Sequence, residues 1–159
     1  MPSVSHILAD EAATMRAGEA IARAVTQLPD AVQLHVNLVG DLGAGKTTLV
    51  RGVLRGLGYA GRVKSPTYPI LETYQVHSIS LSHFDLYRLE TPEAFTEAGF
   101  EDCFAGPGLR FVEWPDRAED RLPVADWSLL LQDHPEGGRQ LTITALTTRG
   151  TRCLANLIL

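Results

Sequence analysis

The sequence has 159 residues, of which 45% are hydrophobic and 21% charged, and its formal net charge at pH 7 is −5. This length and composition are typical of one globular domain and exclude a disordered or fibrous chain. The acidic balance also disfavours a large nucleic-acid surface, because contacts to phosphates require clustered Lys and Arg side chains. We therefore expect any role in nucleic-acid chemistry to be indirect.

The cysteines and the apolar segments indicate the compartment. Cys103 and Cys153 form no C-x-x-C pair, which would have indicated a zinc or redox motif. The start of the chain includes Asp10 and Glu11 and lacks the basic and apolar regions of a signal peptide. No apolar run approaches the roughly 18 to 20 residues that span a bilayer. We expect a cytoplasmic protein with reduced thiols.

The first part of the chain predicts a helix, a strand and a second helix. Apolar residues at helical spacing predict a helix over residues 10–26, with Asp10 placed to cap its start. Residues 32–39 alternate apolar and polar side chains, which is typical of a strand. After the glycine-rich segment that begins at Gly40, residues 45–57 have the pattern of an amphipathic helix. The order is therefore strand, glycine-rich loop, helix.

The remaining sequence predicts shorter elements of both kinds. In chain order we expect extended segments over residues 68–76 and 79–86, a short helix after Thr91, a strand over residues 109–112, a helical turn or two over residues 115–121, strands over residues 127–131 and 141–146, and a closing helix over residues 152–159. No internal repeat or linker interrupts them. We therefore predict one α/β domain over residues 1–159, with three layers in which helices flank a central, mostly parallel sheet with an antiparallel part.

The segment Gly-Asp-Leu-Gly-Ala-Gly-Lys-Thr at residues 40–47 matches the phosphate-binding pattern G-x-x-x-x-G-K-[ST]. Such a loop points backbone N–H groups at phosphate oxygens, and glycines allow the backbone angles and close approach that this needs. Lys46 is placed to reach the β- and γ-phosphates, and the Thr47 hydroxyl is placed to ligate Mg²⁺. We predict a P-loop NTPase domain. The predicted nucleotide-binding residues are Asp41, Leu42, Gly43, Ala44, Gly45, Lys46, Thr47 and Thr48.

A P-loop protein also needs an acidic residue at the end of another strand, to hold the metal or to orient the attacking water. Glu113 follows an apolar segment of the kind expected there, and Asp85 follows a more polar one. We predict that both carboxylates, together with Lys46, are catalytic. The alternative is that either carboxylate caps a helix or pairs with Arg88 or Arg117.

The nucleotide is expected to be ATP. Guanine-specific P-loop proteins use N-K-x-D, and neither Asn37 nor Asn156 is followed by Lys. Three functions remain open: a small ATPase, a small-molecule kinase that uses ATP as phosphate donor, and a nucleotide-gated binding module. The kinase is disfavoured because residues 89–108 contain no Arg for a lid and carry five acidic residues instead.

Four ordered segments together resemble a known family. They are Gly-Asp-Leu-Gly-Ala-Gly-Lys-Thr-Thr at 40–48, Ser-Pro-Thr-Tyr at 65–68, His-Phe-Asp-Leu-Tyr-Arg-Leu at 83–89 and Glu-Trp-Pro at 113–115. In this order they resemble the TsaE family, also called YjeE, over nearly the whole chain. The resemblance implies an ATPase that is needed in bacteria to make threonylcarbamoyladenosine in tRNA. It also implies TsaD and TsaB as partners whose complex is reset by ATP binding and hydrolysis, with only indirect contact to tRNA.

The resemblance carries residue roles with it. Lys46 and the loop amides are expected to hold the phosphates, and Thr47 and Glu113 are expected magnesium ligands. Asp85 is expected to act near the γ-phosphate or its attacking water. The strand before Asp85 is less apolar than in most P-loop proteins, which leaves the division of labour between the two acids open.

Further residues of the same motifs have alternative interpretations. Ser65 and Thr67 resemble a switch segment that could sense the γ-phosphate, the alternative being an ordinary turn into a strand. Trp114 is a candidate for lining the site or a partner surface, or it is simply packed. His83 is predicted to be a packed strand residue rather than a metal ligand.

No arginine is placed obviously enough to serve as an internal arginine finger. Arg51 and Arg55 follow the loop within the predicted helix, Arg62 lies in the next connection, and Arg88 is close enough to Asp85 to be its ion-pair partner. We therefore expect slow hydrolysis by the chain alone and stimulation by partner proteins.

Overall fold

The computed structural model describes residues 1–41, 43–64 and 70–159. Within these ranges the strands are β1 (Ser3–Leu8), β2 (Gln33–Val39), β3 (Leu71–Val76), β4 (Ile79–Asp85), β5 (Gly108–Glu113), β6 (Trp127–Asp133) and β7 (Arg139–Ala145). The helices are α1 (Glu11–Thr26), α2 (Lys46–Leu57), α3 (Pro92–Glu97) and α4 (Thr148–Ala155), and two 3₁₀ helices span Phe100–Phe104 and Pro115–Arg121. No helix in the described part of the chain is long and apolar enough to cross a membrane.

All seven strands belong to one sheet, in the order β1-β7-β6-β2-β5-β4-β3. The four central strands β6, β2, β5 and β4 run parallel to one another, whereas β1, β7 and β3 pair antiparallel with their neighbours. The predicted α/β class, with a central parallel sheet and an antiparallel part, is confirmed. The carboxyl ends of β2, β4 and β5 therefore meet at one edge of the sheet.

One face of the sheet packs against α1, α2 and α4. The buried strand residues on this face alternate along each strand, as Leu34, Val36 and Leu38 do in β2. The opposite face of β4 and β5 packs against α3 and the two 3₁₀ helices through a separate cluster around Phe84 and Phe95. The two faces give the three layers that the sequence predicts.

The helix α2, which carries Lys46, is fixed by a close contact with α1. A Cβ added to Gly18 of α1 would lie 2.3 Å from the Leu49 carbonyl oxygen, and one added to Gly52 of α2 would lie 2.3 Å from the Met15 carbonyl oxygen. The two helices therefore touch backbone to backbone, with no side chain between them at this point. This contact sets where α2 begins relative to the sheet.

Two elements differ from the sequence predictions. The edge strand β1 was not predicted, because only Leu8 of its six residues is buried and its pairing with β7 supplies what its apolar pattern does not. The closing helix was predicted over residues 152–159 and lies instead at α4. It begins earlier because the Thr147 hydroxyl caps it, accepting the Gly150 N–H at 3.0 Å.

We expect Gly18→Ala to lower the free energy of unfolding. Alanine gains up to about 1 kcal/mol of helix propensity, but overpacking against fixed backbone costs about 1 to 3 kcal/mol. The net loss should be about 1 to 2 kcal/mol by urea denaturation. The control is Arg16→Ala, an exposed position on the same helix, which should change stability by less than about 0.5 kcal/mol. An unchanged Gly18→Ala protein would show that separating the helices costs no more than the roughly 1 kcal/mol that alanine gains in helix propensity.

Candidate nucleotide-binding site

The glycine-rich loop lies between the end of β2 and the start of α2, and Leu42 within it is outside the described residues. Gly43 and Gly45 have φ angles of 79° and 101°, in the left-handed region that glycine adopts without strain. A Cβ added to Gly40 would lie 2.5 Å from the Leu131 carbonyl oxygen. The close approach of Leu131 therefore requires glycine at position 40, and glycine takes the backbone angles at positions 43 and 45 without strain.

The amino terminus of α2 is open to an anion. Gly45 occupies the N-cap position, so the cap residue has no side chain to accept the first amides, and the first turn contains no acidic residue. Thr47 and Thr48 lie in this first turn and are half-buried. The positive end of the helix dipole and free backbone N–H groups together favour phosphate at such a terminus.

Lys46 lies at the centre of the site, and its side chain is only 6% exposed. Its Nζ donates to the Gly40 carbonyl oxygen at 2.6 Å and lies 3.5 Å from Glu113 Oε1. The same Nζ lies 5.1 Å from the centroid of the Trp114 ring. The ammonium charge is thus held at the mouth of the loop by partners from two strand ends.

The two predicted acids are brought together at the ends of β4 and β5. Asp85 and Glu113 are paired residues in the parallel register of these strands, and both are buried. Glu113 Oε2 lies 2.6 Å from His83 Nε2. His83 is the packed strand residue that the sequence predicts, and it is in addition a direct partner of Glu113. Lys46, Asp85 and Glu113 therefore share one site.

Asp85 has an unusual environment for a carboxylate. Burial raises its pKa, and the neighbouring Glu113 charge raises it further. Its Oδ1 accepts the Tyr87 N–H at 3.1 Å. The alternative in which Asp85 pairs with Arg88 is not found: the chain turns after β4, Arg88 is exposed, and no ion pair joins it to Asp85 within the described chain. Arg117 also takes another position, 5.4 Å from the centroid of the Tyr87 ring.

Trp114 both lines a cavity and packs. It follows β5 in a left-handed conformation with φ of 57°, and its ring lies 5.0 Å from that of Tyr87. The cavity measures about 270 Å³ and includes Gly40, Asp41 and Lys46 in its lining. Both interpretations offered by the sequence are therefore compatible with where this side chain lies.

Two of the predicted site residues lie outside the described part of the chain, and one residue that the sequence does not predict contacts the loop. Ser65 and Thr67, the predicted switch residues, lie outside the described residues. Arg139 was not singled out in the sequence, yet it donates to the carbonyl oxygens of Gly43 and Ala44. About 95 positions separate it from the loop, so no local pattern could have indicated the contact.

The side chains at the ends of β4 and β5 and in the first turn of α2 include oxygen ligands of the kind that Mg²⁺ prefers. Asp85, Glu113 and Thr47 offer carboxylate and hydroxyl oxygens, the hard ligands that this ion prefers. Magnesium usually takes only one or two carboxylates from a protein and completes its shell with phosphate and water. In the described residues no group of three or more His, Cys, Asp or Glu side chains is arranged around a metal position.

The strand, the glycine loop, the buried lysine that opens α2 and the acids that end the adjacent strands define an α/β protein of the P-loop class. The family model described as "Threonylcarbamoyl adenosine biosynthesis protein TsaE" matches residues 8–141. The chain therefore belongs to the TsaE family, whose proteins take part in the biosynthesis of threonylcarbamoyladenosine in tRNA. The resemblance noted in the sequence is confirmed.

Individual relatives support the same assignment. A Haemophilus influenzae protein named tRNA threonylcarbamoyladenosine biosynthesis protein TsaE is 37% identical over 155 residues, covering 98% of both chains. Proteins of the same name from Bacillus subtilis and Synechocystis are 36% and 41% identical over 72% of this chain, covering 71% and 72% of their own. The crystal structure of Bacillus subtilis YdiB matches with a TM-score of 0.77 and 25% identity, covering 97% of this chain and 93% of that one.

We expect Asp85→Asn to be more stable than the unmodified protein at pH 8. The pKa of Asp85 is raised from the ordinary value of 3.8 by burial, so its ionised form disfavours the folded state. This free-energy cost reaches its full value above the pKa that Asp85 has in the folded protein, and it disappears as the pH falls toward 3.8. Thermal denaturation from pH 8 to pH 4 should therefore show an advantage that shrinks with acid.

The control for this measurement is Asp30→Asn, because the Asp30 side chain is 89% exposed. It should follow the unmodified protein across the same range. An Asp85→Asn protein that is less stable than the unmodified one at pH 8 would mean that the carboxylate is stabilised where it lies.

Proposed function

We propose that this chain binds ATP with Mg²⁺ at the loop, hydrolyses it to ADP and phosphate, and thereby supports turnover of a TsaD and TsaB complex in tRNA threonylcarbamoyladenosine formation. The observation that carries the proposal is the buried Lys46 ammonium, 3.5 Å from Glu113 at the open amino terminus of α2. A buried lysine beside an acid at a helix terminus is the arrangement that phosphoryl transfer uses.

Each residue of the site has a distinct task in this proposal. Lys46 contacts the β- and γ-phosphates, and the amides from Gly45 to Thr48 cradle them, because the Ala44 N–H already bonds to the Asp41 carbonyl oxygen. Thr47 and Glu113 would hold Mg²⁺, which when bound would supply positive charge to the phosphates. Asp85 lies next to Glu113, where it accepts a proton from the attacking water or orients that water.

The pKa of Asp85 supports this division between the two acids. A general base is more effective when its pKa approaches the working pH, and burial moves the Asp85 pKa in that direction. Glu113, in contrast, has the close contacts to Lys46 and His83 that keep a carboxylate oriented. These different surroundings support metal binding by Glu113 and water orientation by Asp85.

The partners are proposed to be proteins rather than tRNA. The net charge of −5 suits a protein-facing role in the cytoplasm better than direct docking on phosphates. The Trp114 and Tyr87 rings lie against each other beside Lys46, and the Tyr87 side of this pair is exposed. Exposed aromatic side chains next to a nucleotide site suit contact with a protein that responds to the nucleotide.

Lys46→Ala should weaken ATP binding by roughly 10- to 150-fold, because charge-assisted hydrogen bonds are worth about 1.5 to 3 kcal/mol. The measurement is equilibrium titration with a fluorescent ATP analogue. Lys64 is the other lysine of the chain and is exposed, so Lys64→Ala serves as the control and should bind as the unmodified protein does. Equal affinity in a folded Lys46→Ala protein would remove the basis for the proposed site.

Hydrolysis should be slow for the chain alone and should rise at least tenfold when TsaD and TsaB are added. Contributions in trans to P-loop enzymes can reach roughly 10³- to 10⁵-fold when the partner supplies a charge or orders a switch. The measurement is steady-state phosphate release over a range of partner concentrations, with Lys46→Ala as background. A rate that is already fast and stays flat on partner addition would contradict partner control.

A further inference from the structure

Arg139, at the start of β7, reaches back across the hairpin to the phosphate-binding loop. Its Nε donates to the Ala44 carbonyl oxygen at 3.2 Å, and its Nη2 donates to the Gly43 carbonyl oxygen at 3.0 Å. On its other side, Nη1 lies 2.8 Å from Asp133 Oδ1 at the end of β6. One guanidinium thus joins the β6–β7 hairpin to two consecutive peptide groups of the loop.

These two hydrogen bonds fix the orientation of loop amides. In a trans peptide group the C=O and the N–H point in opposite directions. When the Ala44 carbonyl is turned toward Arg139, the N–H of Gly45 in the same peptide group is turned away from it. The N–H of Ala44 is likewise oriented, and it bonds to the Asp41 carbonyl oxygen at 3.1 Å. Arg139 therefore fixes the direction in which the loop presents the Gly45 N–H.

The loop needs such a restraint because of its composition. Gly43 and Gly45 flank Ala44, and glycine loses more conformational freedom on ordering than any other residue. Each backbone residue that must be ordered at the moment of binding lowers the affinity. A loop already held by Arg139 avoids part of that loss.

The sheet order separates this contact from the reacting end of the site. β5, which ends in Glu113, lies on one side of β2, whereas β6 and β7 lie on the other. Arg139 therefore approaches the loop from the flank opposite to Glu113. Its contacts are to carbonyl oxygens of the loop, and the acids at the ends of β4 and β5 are not among its partners in the described chain.

We propose that Arg139 is a positioning residue that holds the phosphate-binding loop in its binding conformation, with Asp133 orienting the guanidinium. It sets the affinity for the diphosphate part of the nucleotide and leaves the chemical step unchanged. This inference rests on the proposed nucleotide binding at the loop. An exposed Arg–Asp pair alone contributes little, so the two bonds to the loop carbonyls give Arg139 its effect.

The test compares Arg139→Ala with Arg139→Lys. Arg139→Ala should bind ATP and ADP about tenfold more weakly, and to a similar extent, because both nucleotides carry the diphosphate. In the partner-stimulated reaction it should raise the KM for ATP and leave kcat unchanged, the pattern of lost uniform binding. Arg139→Lys should recover only part of the affinity, since one ammonium cannot reproduce the planar fork.

A second measurement is independent of any nucleotide. Hydrogen–deuterium exchange of the protein alone should be faster over residues 43–48 in Arg139→Ala, and unchanged in α4. The control is Arg152→Ala, which removes the same charge from an exposed residue of α4. Its Nη1 lies 4.0 Å from Asp30 Oδ2. This variant should leave both the affinity and the exchange of the loop as they are in the unmodified protein.

The outcomes separate this proposal from the one on which it rests. If the unmodified protein binds no nucleotide, the proposed function fails. If the unmodified protein binds nucleotide, and Arg139→Ala binds ATP and ADP as tightly as the unmodified protein with unchanged exchange of the loop, the positioning role of Arg139 is overturned. The proposed nucleotide binding then still stands. A lower kcat at unchanged KM would also overturn the positioning role, because Arg139 would then act in the reaction itself. An equal loss of nucleotide affinity in Arg152→Ala would also overturn it, because the effect would then come from net charge alone.

Discussion

The buried carboxylate of Glu113 is the point on which the site depends. Lys46 approaches one of its oxygens at 3.5 Å and His83 the other at 2.6 Å, so α2, β4 and β5 must meet within a narrow tolerance. A charge buried in this way is tolerated only while its partners remain, and removing one partner leaves the other charge uncompensated. The same contact that can serve phosphate chemistry therefore also ties the helix to two strands.

Local sequence patterns were enough to predict the parts of the site that lie near one another in the chain. The strand, the glycine loop and the helix that begins at Lys46 follow from periodicity and glycine spacing, and Asp85 and Glu113 follow from the ends of predicted strands. Arg139 could not be predicted, because it reaches the loop only through the pairing of β6 with β7. The strand β1 could not be predicted for a similar reason, since its pairing with β7 rather than its burial defines it.

The loop is held differently on its two flanks. Toward β5 it meets Lys46 and Glu113, groups whose charges suit phosphate and a divalent cation. Toward β7 it meets Arg139, whose bonds go to carbonyl oxygens of the loop itself. A strand order that puts β2 between β5 and β6 is what makes this separation possible. A substitution at Arg139 therefore leaves the contact between Lys46 and Glu113 in place.

The contact between Gly18 and Gly52 has a mechanical consequence. Side chains interleaved between two helices can change rotamer and let one helix slide past the other, but here backbone meets backbone and no rotamer is available to absorb a displacement. Any displacement of α2 must then be shared by α1. A shift at the start of α2 would therefore also move α1, the helix that ends at Thr26.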